Sequence, residues 1–180
     1  MSEPNQFIKT VLTRRCVRSY TGTKVKRDDL LNMIKAGMSA PSYKDTRHRY
    51  FIVVDDPALI QTLGDGLPYS KMLLTAKHAI IVCSDNRMLE DVADTDYWVQ
   101  DCAVAAENIL LAAHSLGIAT CWTAAHPRPE RVAFVKHALG IPEHVEPLCV
   151  IAVGISAGVE KPRDKFEPER IFWNAWEKSS

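Results

Sequence analysis

The chain has 180 residues, 47% of them apolar and 24% charged, and its 22 Lys and Arg balance 22 Asp and Glu to give a pI near 7.0. That size and apolar content suit one hydrophobic core, so residues 1–180 are expected to form a single domain. Neutrality argues against a general nucleic-acid binder, no apolar run approaches the roughly 18 residues of a membrane span, and the N-terminus lacks the charged-then-apolar order of a secretory signal; the expected compartment is the cytoplasm.

The periodicity predicts elements in the following order. Residues 4–15 suit a helix with Phe7, Ile8, Val11 and Leu12 on one face, and residues 27–38 a second helix with Leu30, Leu31, Ile34 and Met38 at helical spacing, closed before Pro41. "RYFIVVDD" is β-branched and aromatic and reads as a strand, broken by acids and Pro57. A short helix over 57–64 precedes "HAIIVCS", whose unbroken apolar run suits a central strand.

The longest periodic stretch is 94–116, with Val99, Cys102, Ala103, Ala106, Ile109, Leu110 and Ala113 at spacings of three and four. Much of that face is small, which lets another helix approach closely and places this helix at the centre of the fold or of a dimer. Gly117 is placed to end it, "IATCWTA" follows as a strand, 129–139 form a helix closed by Gly140, and "PLCVIAVG" is the last core strand. The final twenty residues hold Phe166, Ile171, Phe172, Trp173 and Trp176, too apolar for a solvated tail. The expected class is α+β, a mixed, mainly antiparallel sheet wrapped by helices.

Five widely spaced cysteines, Cys16, Cys83, Cys102, Cys121 and Cys149, form no C-x-x-C pair and read as reduced thiols, four of them in apolar segments. The six histidines show no i, i+4 pair, so no structural metal is expected. Neither a Ser-His-Asp set nor paired carboxylates stand out as catalytic groups. What does stand out is local charge: from Pro4 to Arg27 there are seven Lys or Arg and no acid. Such residues after an amphipathic helix also read as solvated side chains or as partners of its last carbonyls.

The ordered segments "RRCVRSY", "APSYKDTRHRYFIVV", "YSKMLLTAKHAIIVCSD", "YWVQDCAVAAENILLAAHSLGIATCW", "ALGIPEHVEPLCVIAVG" and "EKPRDKFEPERIFWNAW" resemble the nitroreductase family of FMN-dependent oxidoreductases, from about Arg14 to Trp176. The resemblance gives the basic segment a target, the phosphate of FMN, whose paired oxygens suit a guanidinium fork. It implies that Arg14, helped by Arg15, binds that phosphate. Cys16 stands where the family usually has a serine whose hydroxyl bonds the cofactor, and a thiol donates less well. Arg18 matches the position facing the pyrimidine edge of the ring, where negative charge collects on reduction.

In "APSYKDTRHRY", Ser42 matches a flavin-contacting position, Asp45 stands where Asn is common, Arg47 where Gln is common, and His48 and Arg49 replace a frequent Pro-Trp pair. An ionised Asp cannot donate, so Asp45 is expected to pair with Arg47 or Arg18. Lys71 matches a lysine near the N1 and O2 edge. The "CWTAAHP" loop is placed across the ring, with a backbone N–H donated to N5; Ala124 and Ala125 are small enough to leave the backbone accessible there, and Trp122 reads equally as core. "EKPRDK" resembles a C-terminal phosphate clamp, with Arg163 favoured over Lys161 and Lys165.

By the same resemblance the protein is an enzyme in which NAD(P)H reduces FMN and the electrons pass, by a ping-pong mechanism, to nitroaromatics, quinones or another small electron-poor acceptor. A homodimer is implied, with the flavin at the interface and the extension 159–180 crossing to the other subunit. Two alternatives stay open on sequence: a flavoprotein of the same scaffold with another activity, such as dehalogenation, flavin fragmentation or cofactor storage, and a small flavin-free interaction domain.

Overall fold

The computed structural model describes residues 4–89 and 96–176. Six helices and four strands are defined among them: α1 (Gln6–Thr13), α2 (Arg27–Met38), β1 (Arg49–Val54), α3 (Pro57–Gly66), α4 (Leu73–Ala76), β2 (His78–Asp85), α5 (Tyr97–Ser115), β3 (Ala119–Ala124), α6 (Pro129–Leu139) and β4 (Val145–Gly154). The sheet order is β1-β2-β4-β3 and every ladder in it is antiparallel. The parallel element anticipated by a mixed sheet is reduced to one bridge, Cys16 to Thr120.

Strand alternation divides the core between the two faces of the sheet. From β2, Ala79, Ile81 and Cys83 join α3, α4 and α6 in one cluster, while Ile80 and Val82 join α2 and α5 in the other. All eight residues of β2 are buried, as its apolar run predicts for an interior strand.

Helix α5 is central, as its small-residue face implies. Cys102, Ala105, Ala106, Ile109, Leu110 and Ala113 are buried on it, with the predicted Val99 and Ala103 at the flanks. Its neighbour α2 comes close enough that a Cβ on Gly37 would lie 2.9 Å from Ile109 Cγ1. The buried stripe of α2 is therefore Leu30, Met33, Ile34 and Gly37, which corrects the sequence reading: Leu31 and Met38 point outward. Gly140 closes α6 in the left-handed conformation, with φ 63°. The short helix α4 was not anticipated, because its four residues carry no period of their own.

Among the described residues, two apolar regions stay uncovered. The predicted face of α1 exists, but Phe7, Ile8, Val11 and Leu12 are exposed, and only Thr10 of that helix is buried. Beyond β4 the chain runs through Phe166, Ile171, Trp173 and Trp176, all exposed, with a single 3-10 turn over Pro168–Arg170. Phe172 stacks on Trp176 at a centroid distance of 4.5 Å.

Candidate functional site

After α1 ends at Thr13, the chain runs alongside the edge strand β3. Val17 N–H donates to Thr120 O at 2.9 Å, and a second bridge joins Tyr20 to Ser156. This edge attachment lays out Arg14, Cys16 and Arg18 at alternate positions. Arg14 Nε sits 3.3 Å from Glu107 Oε1 of α5, and its Nη1 reaches Cys16 Sγ at 3.9 Å. Arg15 is part-buried, and its Nε–H has no acceptor among the described residues. Both arginines line a cleft of about 270 Å³ with His114, Thr120 and Ser156.

Cys16 and Cys121 form a thiol pair between this segment and β3. A hydrogen bond from the Cys121 thiol, opposed by burial and aided by the Arg14 guanidinium and the Trp122 backbone, pulls the Cys16 thiol down to about 5. Cys121 moves the other way, because the Cys16 sulfur beside it and its burial disfavour a second thiolate, although the charges of Arg18 and Arg14 oppose that shift. All five cysteines are free thiols, four of them buried, as read from their spacing.

The remaining predicted residues lie elsewhere on the single chain. Arg18 and Lys71 share a cleft of about 620 Å³ with Tyr69 and Met72. Asp45 and Arg47 line a third cleft, of about 530 Å³, with Ser39, Pro41 and Arg49. Asp45 is paired with Arg47, one of its two expected partners: Arg47 Nε donates to Oδ1 at 3.0 Å and Nη2 to Oδ2 at 2.8 Å. That fork holds the exposed Asp45 carboxyl below its ordinary range. Ser42 Oγ accepts from Arg47 N–H at 3.3 Å and so sits in the same turn.

In the "CWTAAHP" loop the two alanines differ. Ala125 is fully buried and its N–H donates to Leu148 O at 3.0 Å, so that amide is taken up by the sheet; Ala124, half-buried at the end of the edge strand, has its carbonyl accepting from Arg131 Nη1 at 3.2 Å. Trp122 is half-buried against the α5 side of the core. Lys161, Arg163 and Lys165 are all exposed in the tail.

Sequence reasoning missed the support beneath the 42–47 turn. His48, Ser84 and Asp101 are buried and joined to one another, and Arg49 is buried beside them. A signal was present: Asp101 is an acid directly beside Cys102 on the apolar face of α5. Among the described residues no group of three or more His, Cys, Asp or Glu could hold a metal ion, and no helix is long and apolar enough to cross a membrane.

Comparison with known proteins gives this helix-wrapped antiparallel sheet its class. The family model described as "Nitroreductase family" matches residues 11–67 and 65–155. A Methanothermobacter thermautotrophicus protein named among the NADH dehydrogenase/NAD(P)H nitroreductases is 39% identical over 94% of this chain and 87% of its own length. A crystal structure from Bacteroides thetaiotaomicron under the same type of name superposes with a TM-score of 0.91 at 40% identity, covering 97% of this chain and all of that one. An FMN-dependent nitroreductase from Clostridium difficile gives a TM-score of 0.85 at 27% identity, over 94% and 99% of the two chains. The chain belongs to the nitroreductase family.

Proposed function

We propose that the protein binds FMN, takes electrons from NAD(P)H and delivers them by a ping-pong mechanism to nitroaromatics, quinones or related electron-poor acceptors. The observation that carries this reading is the cleft beside β3: Arg14 and Arg15 both line it, and Arg15 has a buried Nε–H without an acceptor among the described residues. An unsatisfied buried donor is costly, and an anion in the adjoining cleft removes that cost. The donor set is cationic and forked, which fits a phosphate better than a neutral ligand.

Bound FMN supplies a ring that accepts hydride from the nicotinamide and passes electrons on, so the protein needs no nucleophile of its own. Arg14 and Arg15 bind the phosphate, and Arg18 with Lys71 holds positive charge at the pyrimidine edge. Cys16 contributes a sulfur where a hydroxyl is usual, and Trp122 and Ala124 flank the ring. Asp45 and Arg47, with Ser42 in the same turn, line a cleft that neither Arg14 nor Arg18 lines on one chain. In our reading they complete the site of a second copy. The uncovered face of α1 and the aromatic tail supply apolar surface for that homodimer, and the tail carries Arg163, Lys161 and Lys165 toward the partner's phosphate.

The test is spectroscopic. Purified protein should show the two visible bands of bound flavin, bleach anaerobically with NADH or NADPH, and recover colour on adding a quinone or nitroaromatic. Colourless protein that FMN cannot reconstitute would overturn the reading.

A further inference from the structure

Beneath the 42–47 turn, four parts of the chain meet in a buried polar assembly. Asp101 Oδ2, on α5, accepts the Tyr43 N–H at 2.7 Å and lies 2.9 Å from His48 Nε2. The other ring nitrogen of His48 is 2.8 Å from Ser84 Oγ on β2. Arg49, the first residue of β1, donates to Pro41 O at 2.9 Å, to Ala40 O at 2.6 Å and to Asp101 O at 3.3 Å. His48 has no exposed surface and Asp101 only 8%. Groups this deep are retained only where their hydrogen bonds are satisfied, and each of these is.

The turn they hold is unusual in its backbone. Lys44, Asp45 and Arg47 have φ values of 47°, 53° and 52°, three non-glycine residues in the left-handed region within four positions. Such conformations persist only where the surroundings over-determine them, and they concentrate where geometry serves a ligand. One carboxylate oxygen ties the turn's entry, at Tyr43, to its exit, at His48.

We propose that Asp101 and His48 are positioning residues for the flavin: they hold the 42–47 turn in the conformation that presents Ser42, Asp45 and Arg47. This rests on the reading above that these three meet FMN. Neither Asp101 nor His48 touches the ligand. They act by removing the ordering cost that a loose turn would add to binding.

The experiment is FMN titration of the full chain, alongside circular dichroism and denaturant midpoints. Asp101→Ala and His48→Leu are expected to bind FMN at least about tenfold more weakly. His48→Gln keeps a donor toward Asp101 and is expected to recover most of the affinity. If the core variants fail to fold, a comparison at the surface reads the same bond: Tyr43→Pro deletes the amide donated to Asp101, whereas Tyr43→Ala keeps it and loses only the ring. Tyr43→Pro is expected to bind FMN about tenfold more weakly than Tyr43→Ala. Equal affinities in that pair, or wild-type affinity in folded Asp101→Ala, overturn the proposal. If Arg47→Ala still weakens binding in that case, the positioning claim alone has failed. If Arg47→Ala and Ser42→Ala also bind as wild type, the turn is not at the flavin and the site reading fails with it.

Discussion

Strand β2 and the C-terminal segment from Val159 to Trp176 are both rich in large apolar side chains, yet they end in opposite environments. In β2 every residue is buried, Ile80 and Ile81 without any exposed surface, while Trp173 and Trp176 are each 84% exposed. The difference lies in what each needs as a neighbour. A strand in the middle of a sheet finds its partners on the same chain, through β1, β4 and helices on both faces. The aromatic residues of the tail and the outer face of α1 present large apolar side chains that no described residue of their own chain covers. Arg15 shows the same incompleteness in charge, as a buried donor without an acceptor. The sheet interior is complete in one chain, whereas in the proposed function a second copy covers these surfaces and an anion meets Arg15.

The largest expected effect breaks that comparison at the tail. Ending the chain after Gly158 removes the aromatic segment together with Arg163, Lys161 and Lys165. Burial of two large aromatics is worth about 3 to 6 kcal/mol by area, an upper bound before the ordering of the tail is subtracted. The shortened protein should dissociate toward monomer and lose FMN in the same concentration range, followed by sedimentation and flavin titration. A stable shortened dimer with full FMN affinity would show that the tail covers nothing.

Ile81→Ala probes the opposite region. Ile81 is wholly buried in the cluster shared with α3, α4 and α6, and truncation should cost about 2 to 5 kcal/mol in urea unfolding. Trp173→Ala supplies the contrast: its cost should vary with protein concentration, because in the proposed dimer the contact it removes lies between chains.

A smaller effect is expected at the cationic segment. Arg14→Ala should weaken FMN by about 1.5 to 3 kcal/mol, read from flavin fluorescence, and Arg14→Lys by less, since lysine keeps the charge and loses the fork. Equal FMN affinity in wild type and Arg14→Ala would remove Arg14 from the site.

The smallest effect sits on the border between the two regions. Cys16 packs partly against the core and carries a thiol held down to about 5 by the Cys121 hydrogen bond and Arg14. The folded state then binds fewer protons than the unfolded chain between pH 5 and the ordinary thiol value near 9. That contribution to stability is complete above pH 9, shrinks as pH falls and is gone below about 5. Alkylation of Cys16 should accordingly persist to about pH 5, shift its inflection upward in Arg14→Ala and slow when FMN is bound. An inflection near 9 in wild type, or labelling at one rate with and without FMN, would remove Cys16 from the phosphate's side.

Sequence alone determined the elements whose signals are local. The apolar run of β2, the helical spacing along α5 and the glycine ending α6 each depend on residues within a few positions, and each lies where the pattern places it. The family resemblance likewise rests on ordered local segments. Tertiary structure decided which faces are covered. The period of α1 marks an apolar side without saying whether this chain or another buries it, and Leu31 and Met38 obey the helical spacing of α2 while Gly37, by admitting Ile109, sets where the helices meet. Tertiary structure also joined His48, Ser84 and Asp101, residues separated by 36 and 53 positions. Sequence lists one hydrogen-bonding side chain at a time; only the folded sheet, with α5 laid across it, brings three such groups within bonding distance and encloses them away from water.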